Sequence, residues 1–211
     1  SLYDKNFNLV SSKPLLDGTN QFSAFHSSLI QSNDKIFLAY IEPGKGNKIS
    51  DFKVIKIDNK TLQESAPQVV VSESDIDEKV KFFWGENKIF TRSSPSTKKH
   101  LVYIDNSDDE FFLASLDENM VVKWKNKISL PGYKQKEIQS IIVDDAGKVY
   151  LSCLNKKNIA TIFTIDNGEI SLSKQFSIES ATVFNLQIEN SKIADELYIG
   201  GAIGTESDNA S

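Results

Sequence analysis

Short apolar segments separated by polar turns follow one another along this chain of 211 residues. The segments 36–41 and 149–154 are nearly continuous apolar runs, and Gly, Asn, Asp, Ser or Pro stand between such segments. Runs of this length, rich in Ile, Val, Phe and Tyr, are typical of β-strands. Continuous runs, as opposed to alternating ones, indicate strands that are covered on both faces of their sheet. The pattern therefore predicts an all-β protein without helices.

A sequence motif that consists of an apolar residue, an Asp and a polar turn recurs along the chain. Its acidic residues are Asp4, Asp58, Asp117 and Asp166, which lie 54, 59 and 49 positions apart. Such turns supply the positive φ and the side-chain hydrogen bonds that a tight hairpin needs. We place them between the third and fourth strands of a repeated four-stranded unit.

A second landmark is a polar turn followed by an apolar strand that carries an aromatic residue. The aromatic residues are Phe37, Phe90, Tyr150 and Tyr198, at steps of 53, 60 and 48. These steps follow those of the first landmark, and a shared period of this size predicts the blades of a β-propeller. The predicted single propeller-type domain has a half blade at 1–16, blades at 22–71, 79–130 and 138–178, a half blade at 183–203 and a polar tail at 204–211.

Two versions of this architecture stay open. If the terminal half blades pair with each other, a four-bladed ring closes and no sheet edge is exposed. Otherwise the chain, which begins partway through a repeat, is an arc of a larger propeller. A β-sandwich is the rival fold because it also has short strands at regular spacing. The matched landmarks argue against the sandwich, whose strands need no shared internal sequence.

The segment 79–154 carries a family resemblance. Its turn Leu116-Asp117-Glu118-Asn119, the following strand with Trp124 and the strand opened by 144–150 resemble blades of uncharacterised exported bacterial propeller proteins, and more loosely quinoprotein and kelch-type blades. The resemblance implies a binding or scaffolding role on an extracytoplasmic protein. Quinoprotein-like blades usually repeat a Trp in the last strand, and the counterparts of Trp124 are Ser11, Ser65 and Ser173. No cofactor is therefore expected by analogy.

Composition narrows the function classes. A formal charge of −5 gives no reason to expect a nucleic-acid partner. No apolar stretch approaches the length of a membrane helix, so membrane insertion is not expected. The only cysteine, Cys153, lies in an apolar run, which predicts a buried thiol. The only arginine is Arg92, so two-point clamps on phosphate are scarce. The oligomeric state stays open.

Candidate catalytic and metal-binding patterns are weak. The chain has no Gly-x-Ser-x-Gly elbow and only two histidines, His26 and His100, which are too far apart for a zinc pattern. The acidic stretch 105–110 begins like a calcium loop. However, Glu110 takes the place of the required Gly and Leu116 that of the terminal Glu. We predict no catalytic residue and no metal site.

Charge separation between the two edges of the sheets is the main functional hint. The predicted hairpin turns carry acids, and the connections between second and third strands carry paired lysines. Turn chemistry for the acids and solubility for the lysines are the simpler and favoured explanation. The functional interpretation is that the lysine-bearing loops bind an anionic protein or polysaccharide. The candidate ligand-binding residues are Lys45, Lys48, Lys98, Lys99, Lys156 and Lys157.

These observations favour a non-enzymatic binding or scaffolding module. The first alternative is a propeller hydrolase or lyase acting on carbohydrate, which requires two carboxylates close together at the bottom of a pocket. The second alternative is a structural arc packed against other domains of a larger protein.

Overall fold

The computed structural model describes residues 2–3, 6–12, 28–43, 49–76, 89–105, 110–157, 159–177, 182–190 and 196–204. Within these ranges the chain consists of β-strands, turns and two short 3-10 segments, Glu73–Asp75 and Gln135–Glu137. The all-β prediction is confirmed. No helix in the described ranges is long and apolar enough to cross a membrane.

The described strands form three four-stranded and two two-stranded antiparallel sheets. The N-terminal hairpin has β1 (Leu2–Tyr3) and β2 (Leu9–Ser11). The first sheet has β3 (Ser28–Ser32), β4 (Lys35–Pro43), β5 (Ile49–Ile57) and β6 (Gln68–Val71). The middle sheet has β7 (Ile89–Ser93), β8 (Lys99–Asp105), β9 (Phe111–Asp117) and β10 (Val122–Ile128). The last sheet has β11 (Ile138–Val143), β12 (Val149–Leu154), β13 (Ile159–Asp166) and β14 (Glu169–Ser177). The C-terminal hairpin has β15 (Thr182–Asn190) and β16 (Leu197–Gly204).

Each four-stranded sheet is a meander whose strands pair in chain order. In the described residues the N-terminal and C-terminal hairpins form separate sheets, so the strand pairing that would close a ring is not found there. The division into blades stays a prediction. Parts of the predicted blades, among them residues 13–16, 22–27 and 79–88, fall outside the described residues.

The Asp turns close the connection between the third and fourth strands of each sheet. Asp58 Oδ1 accepts hydrogen bonds from the backbone N–H groups of Lys60 at 2.9 Å and Thr61 at 2.7 Å. Asp117 Oδ1 accepts from those of Asn119 at 2.9 Å and Val121 at 3.0 Å. The carboxylate thereby satisfies the turn's N–H groups, which explains why Asp recurs here.

The second landmark is wrong for the middle sheet. In the first and last sheets, the turns at 33–34 and 144–148 precede the second strand, as predicted. In the middle sheet, Phe90 belongs to β7, the first strand, and the turn at 94–98 opens β8. A polar turn before an aromatic strand is possible ahead of any strand, so the two intervals that involve Phe90, of 53 and 60 residues, do not join equivalent strands.

The sheets pack face to face in chain order. Along β8, Val102 and Ile104 join a core with the first sheet, and Leu101 and Tyr103 join a core with the last sheet. This alternation follows from the two-residue period of a strand. Because both faces of the middle sheet are covered, β8 and β9 are buried almost throughout. A further core joins the last sheet to the C-terminal hairpin through Ala160, Ile162, Leu186 and Ile188.

Candidate functional site

The structure places two of the predicted ligand-binding lysines in a second-to-third connection. Lys156 and Lys157 are exposed in the loop between β12 and β13. The backbone N–H of Lys157 donates to Asn155 Oδ1 at 2.9 Å, which orders this loop. Lys45 and Lys48 fall at 44–48, outside the described residues. Anion binding by these lysines stays a prediction.

Lys98 and Lys99 lie at the opposite edge, which corrects the predicted placement. Lys98 lies in the turn between β7 and β8, and Lys99 is the first residue of β8, so both belong to a first-to-second connection because β7 begins at Ile89. A Cβ added at Gly147, in the turn between β11 and β12, would lie 3.8 Å from Lys99 Cδ. Lys99 therefore covers a hairpin turn of the next sheet, and the six lysines do not share one edge.

We call the edge formed by the first-to-second and third-to-fourth turns the turn edge. Here the turns of neighbouring sheets are hydrogen-bonded to each other. The backbone N–H and the hydroxyl of Ser96 donate to Asp145 Oδ1 at 3.0 and 2.6 Å. Ser32 Oγ lies 3.1 Å from the carbonyl oxygen of Thr97 and 2.9 Å from that of Glu118.

Two acidic side chains of the turn edge, Asp145 and Asp58, accept hydrogen bonds from other residues of the protein. Burial raises the pKa of Asp145, but hydrogen bonds from Ser96 and Ser94 outweigh it and the pKa is lowered. Hydrogen bonds from Thr61 and Lys60 lower the pKa of Asp58. Each lowered pKa means that the ionised carboxylate is stabilised by its neighbours in the fold. Asp145 thus links the turns of two neighbouring sheets, whereas Asp58 stabilises its own turn.

A Ser–His pair that the sequence analysis missed lies between β7 and β8. Ser93 Oγ is 2.9 Å from Nδ1 of His100, which is 1% exposed. His100 Nε2 has no hydrogen-bond partner in the described part of the chain. Burial lowers the pKa of His100, against the raising effects of the Thr97 backbone and of the nearby Asp117 and Glu118 charges. Catalytic use would need an acid that orients the imidazole, and the buried Nε2 has none.

The thiol and the acidic side chains form no metal centre in the described ranges. Cys153 is buried, as predicted, and burial raises the pKa of its thiol to about 12. No group of three His, Cys, Asp or Glu side chains is close enough to hold an ion among the described residues.

Two cavities are described. One, of about 600 Å³, lies over the β3–β4 hairpin, and Asp34 is the only carboxylate in its lining. The other, of about 270 Å³, lies between the middle and last sheets. We call it the Arg92 cavity. Its lining consists of Phe90, Arg92 and Tyr103 from the middle sheet and residues 138–141 of β11.

An aromatic column supports the Arg92 cavity. Arg92 Cζ lies 4.5 Å from the ring centroid of Phe90. Phe90 stacks on Tyr103 at 4.6 Å with an interplanar angle of 11°, and Tyr103 stacks on Phe111 at 5.4 Å. Phe111 is 1% exposed, so the column runs from the core to the exposed guanidinium. Sequence reasoning noted Arg92 only as the single arginine, because its neighbours across β11 are distant in sequence.

Comparison with known proteins yields likenesses among solved structures but none in sequence families. No family model matches the sequence, and no curated protein matches it. The chain is similar to the β-propeller domain of the Trilobed protease from Pyrococcus furiosus, which is described as having an open velcro topology, with a TM-score of 0.42 and 11% identity. The match covers 88% of this chain and 58% of that one.

Proposed function

We propose that the protein is a non-enzymatic binding module of β-propeller type and that the Arg92 cavity is its ligand site. The observation that carries the proposal is the cavity itself, in which an exposed cation stands between two packed sheets. Binding sites form preferentially where rigid elements meet and a few polar groups converge in an otherwise apolar lining.

The packing of first strands supports a propeller. β7 lies against both β3 and β11, and β11 lies against β15. The first strands of successive sheets are thus neighbours, as the innermost strands are in a ring of blades. The face-to-face cores between consecutive sheets fit the same arrangement.

The lining of the Arg92 cavity favours binding over catalysis. It includes no carboxylate, histidine or thiol. The carbohydrate-cleaving alternative needs two carboxylates flanking the scissile bond, and neither described cavity is lined by two. A guanidinium on a packed aromatic support binds a ligand without transferring a proton, because arginine stays protonated.

A fragment screen by ligand-detected NMR tests the proposal. Gln139 is exposed and lines the cavity, so Gln139→Trp places a large side chain there. We expect fragments that bind the wild type to lose binding to Gln139→Trp and to remain chemically unchanged on long incubation. Gln187→Trp, at an exposed position of β15 that does not line the cavity, is the matched control and keeps all binders. Binders that survive Gln139→Trp, or fragments that are converted, would contradict the proposal.

A further inference from the structure

We infer that the Arg92 cavity selects ligands with a single carboxylate on an apolar stem. This inference rests on the proposed function and specifies the chemistry of the same site. The geometry points to it through three features, namely a held guanidinium, a single positive charge, and isoleucine and aromatic side chains beside it.

The guanidinium is held in place before any ligand arrives. Arg92 lies over the Phe90 ring, and its Nη1 donates to the carbonyl oxygen of Thr91 at 3.2 Å. Phe90 is itself fixed by its stack on Tyr103. No carboxylate pairs with Arg92 among the described side chains. Among the described residues one N–H of the guanidinium is hydrogen-bonded, and a carboxylate matches two of the remaining donors of the planar fork.

The charge of the lining favours a monoanion. Arg92 is the only charged residue of the lining. A phosphate carries more than one negative charge at neutral pH, so part of its charge would lack a partner beside the isoleucine and aromatic side chains, which is costly. A carboxylate carries one, and Arg92 balances it.

The side chains that line the cavity determine which group is favoured next to the carboxylate of the ligand. Ile138 and Ile141 of β11 line the cavity opposite Phe90 and Arg92. The Ser140 hydroxyl is engaged with the backbone of Ile188, at 3.5 Å from its carbonyl oxygen and 3.3 Å from its nitrogen. Gln139 is thus the remaining side-chain amide at the rim. An apolar stem against the isoleucines gains burial, and a space of about 270 Å³ suits a ligand of several heavy atoms.

The chain offers a matched control for charge and stacking. On β14, Lys174 Nζ lies 5.5 Å from the ring centroid of Phe176. Both pairs place a cation two positions from an aromatic residue on a strand. The Lys174 pair contributes to neither described cavity.

Titrations followed by backbone amide NMR test the inference, with butyrate, butyramide and inorganic phosphate as probes. We expect butyrate to shift amides of β7 and β11 and to bind at least about tenfold more tightly than butyramide or phosphate. Arg92→Gln is expected to weaken butyrate binding at least about tenfold. Arg92→Lys gives a smaller loss because it keeps the charge without the fork. Lys174→Gln binds like the wild type.

Several outcomes overturn the inference. The inference is wrong if butyrate shifts no amides near β7 and β11. It is also wrong if butyramide or phosphate binds as tightly as butyrate, or if both Arg92 variants bind butyrate like the wild type. Equal binding of butyramide leaves the proposed binding module standing, whereas fragments that survive Gln139→Trp remove that module. Thermal unfolding verifies that each variant is folded. If Arg92→Gln does not fold, Arg92→Lys alone tests the role of the guanidinium.

A fourth probe distinguishes the two sources of such a ligand. N-acetyl-leucine carries the carboxylate and apolar side chain of a peptide C-terminus. Tighter binding of N-acetyl-leucine than of butyrate supports a peptide terminus, and the reverse supports a free carboxylic acid. Both results support the carboxylate site.

Discussion

The middle sheet has two interfaces, and they are closed to different degrees. Toward the first sheet the core is aliphatic with Phe37, Phe52 and Phe112, and polar contacts cross its rim. Gln68 Nε2 donates to the carbonyl oxygen of Met120 at 3.0 Å, and Lys125 pairs with Asp75 at 2.6 Å. Toward the last sheet the core is richer in aromatic rings and includes the Arg92 cavity.

The difference shows how one charged side chain keeps an interface open. The two interfaces rest on the same alternation of residues along β8 and β9. Closing the sheets over Arg92 would bury a guanidinium without a partner, and such burial is unfavourable. The sheets therefore pack tightly around Phe111 and remain apart around Arg92. An interface that excludes water in one part and admits it in another can hold a ligand.

Truncating adjacent phenylalanines of β9 should have the largest effect and compares the two cores directly. Phe111 is 1% exposed and faces the last sheet, and Phe112 is 2% exposed and faces the first sheet. We expect each change to Ala to lower the free energy of unfolding by about 3–5 kcal/mol. Phe111→Ala should cost about 1 kcal/mol more because it also removes the stack on Tyr103. Denaturant unfolding measures both, and a larger loss for Phe112→Ala would contradict the role of the column.

Gly168 tests the closed part of the second interface. Its φ is +83°, and an added Cβ would lie 3.2 Å from Trp124 Cε3 and 3.3 Å from Asn126 Cβ. Gly147→Ala is the control, since its φ is +92° but its nearest neighbour is Lys99 Cδ at 3.8 Å. Both changes cost about 1–2 kcal/mol for the left-handed backbone. We expect an additional loss only for Gly168→Ala, measured by thermal unfolding. Equal losses would mean that Trp124 moves aside freely.

The buried His100 gives the first interface a pH dependence. By alternation His100 lies on the same face of β8 as Val102 and Ile104. Its pKa is lowered from 6.5, so below that pH the unfolded chain binds more protons than the folded one. Its contribution to stability is therefore complete above pH 6.5 and is lost as the pH falls toward the lowered pKa. The slope is at most about 1.4 kcal/mol per pH unit.

Unfolding measured between pH 7.5 and 5 checks this prediction. His100→Gln should flatten the slope, because Gln does not titrate in that range. His26→Gln serves as the control for the other histidine and should retain the slope. If the slope disappears with His26 instead, His100 is not the titrating group.

The polar contacts at the rims should give the smallest effects. Ser32 is fully buried, and its hydroxyl lies near the carbonyl oxygens of Thr97 and Glu118 at the first interface. Asn126 is exposed, and its Nδ2 donates to the carbonyl oxygen of Gly168 at 2.9 Å at the second interface. We expect about 1 kcal/mol for Ser32→Ala and less for Asn126→Ala, because water can replace an exposed bond. Denaturant unfolding measures both variants. A larger loss in the free energy of unfolding for Asn126→Ala than for Ser32→Ala would contradict this order.

The sequence alone was sufficient to predict the all-β fold class and the position of the Asp turns. Asp58 and Asp117 bind backbone groups only two to four positions away, so their role is local and readable. The order of strands in the middle sheet was not readable, because the polar turns before Phe90 and before β8 look alike. Lys98 and Lys99 were consequently assigned to the wrong edge.

The candidate site lay beyond the sequence for a different reason. The Arg92 cavity depends on how β7 and β11 approach each other, and no local pattern encodes that distance. The Ser93–His100 contact likewise arises from the register of β7 and β8, in which these two residues are opposite each other. Both features need tertiary structure.

Cys153 gives the molecule a native chemical reporter. Its thiol is buried in the core that joins the middle and last sheets, and it is the only cysteine of the chain. A thiol with a pKa of about 12 is almost wholly protonated at neutral pH and reacts slowly with alkylating reagents. The rate of alkylation therefore follows how often these two sheets separate, without any introduced label. A ligand that holds them together would be visible as slower modification.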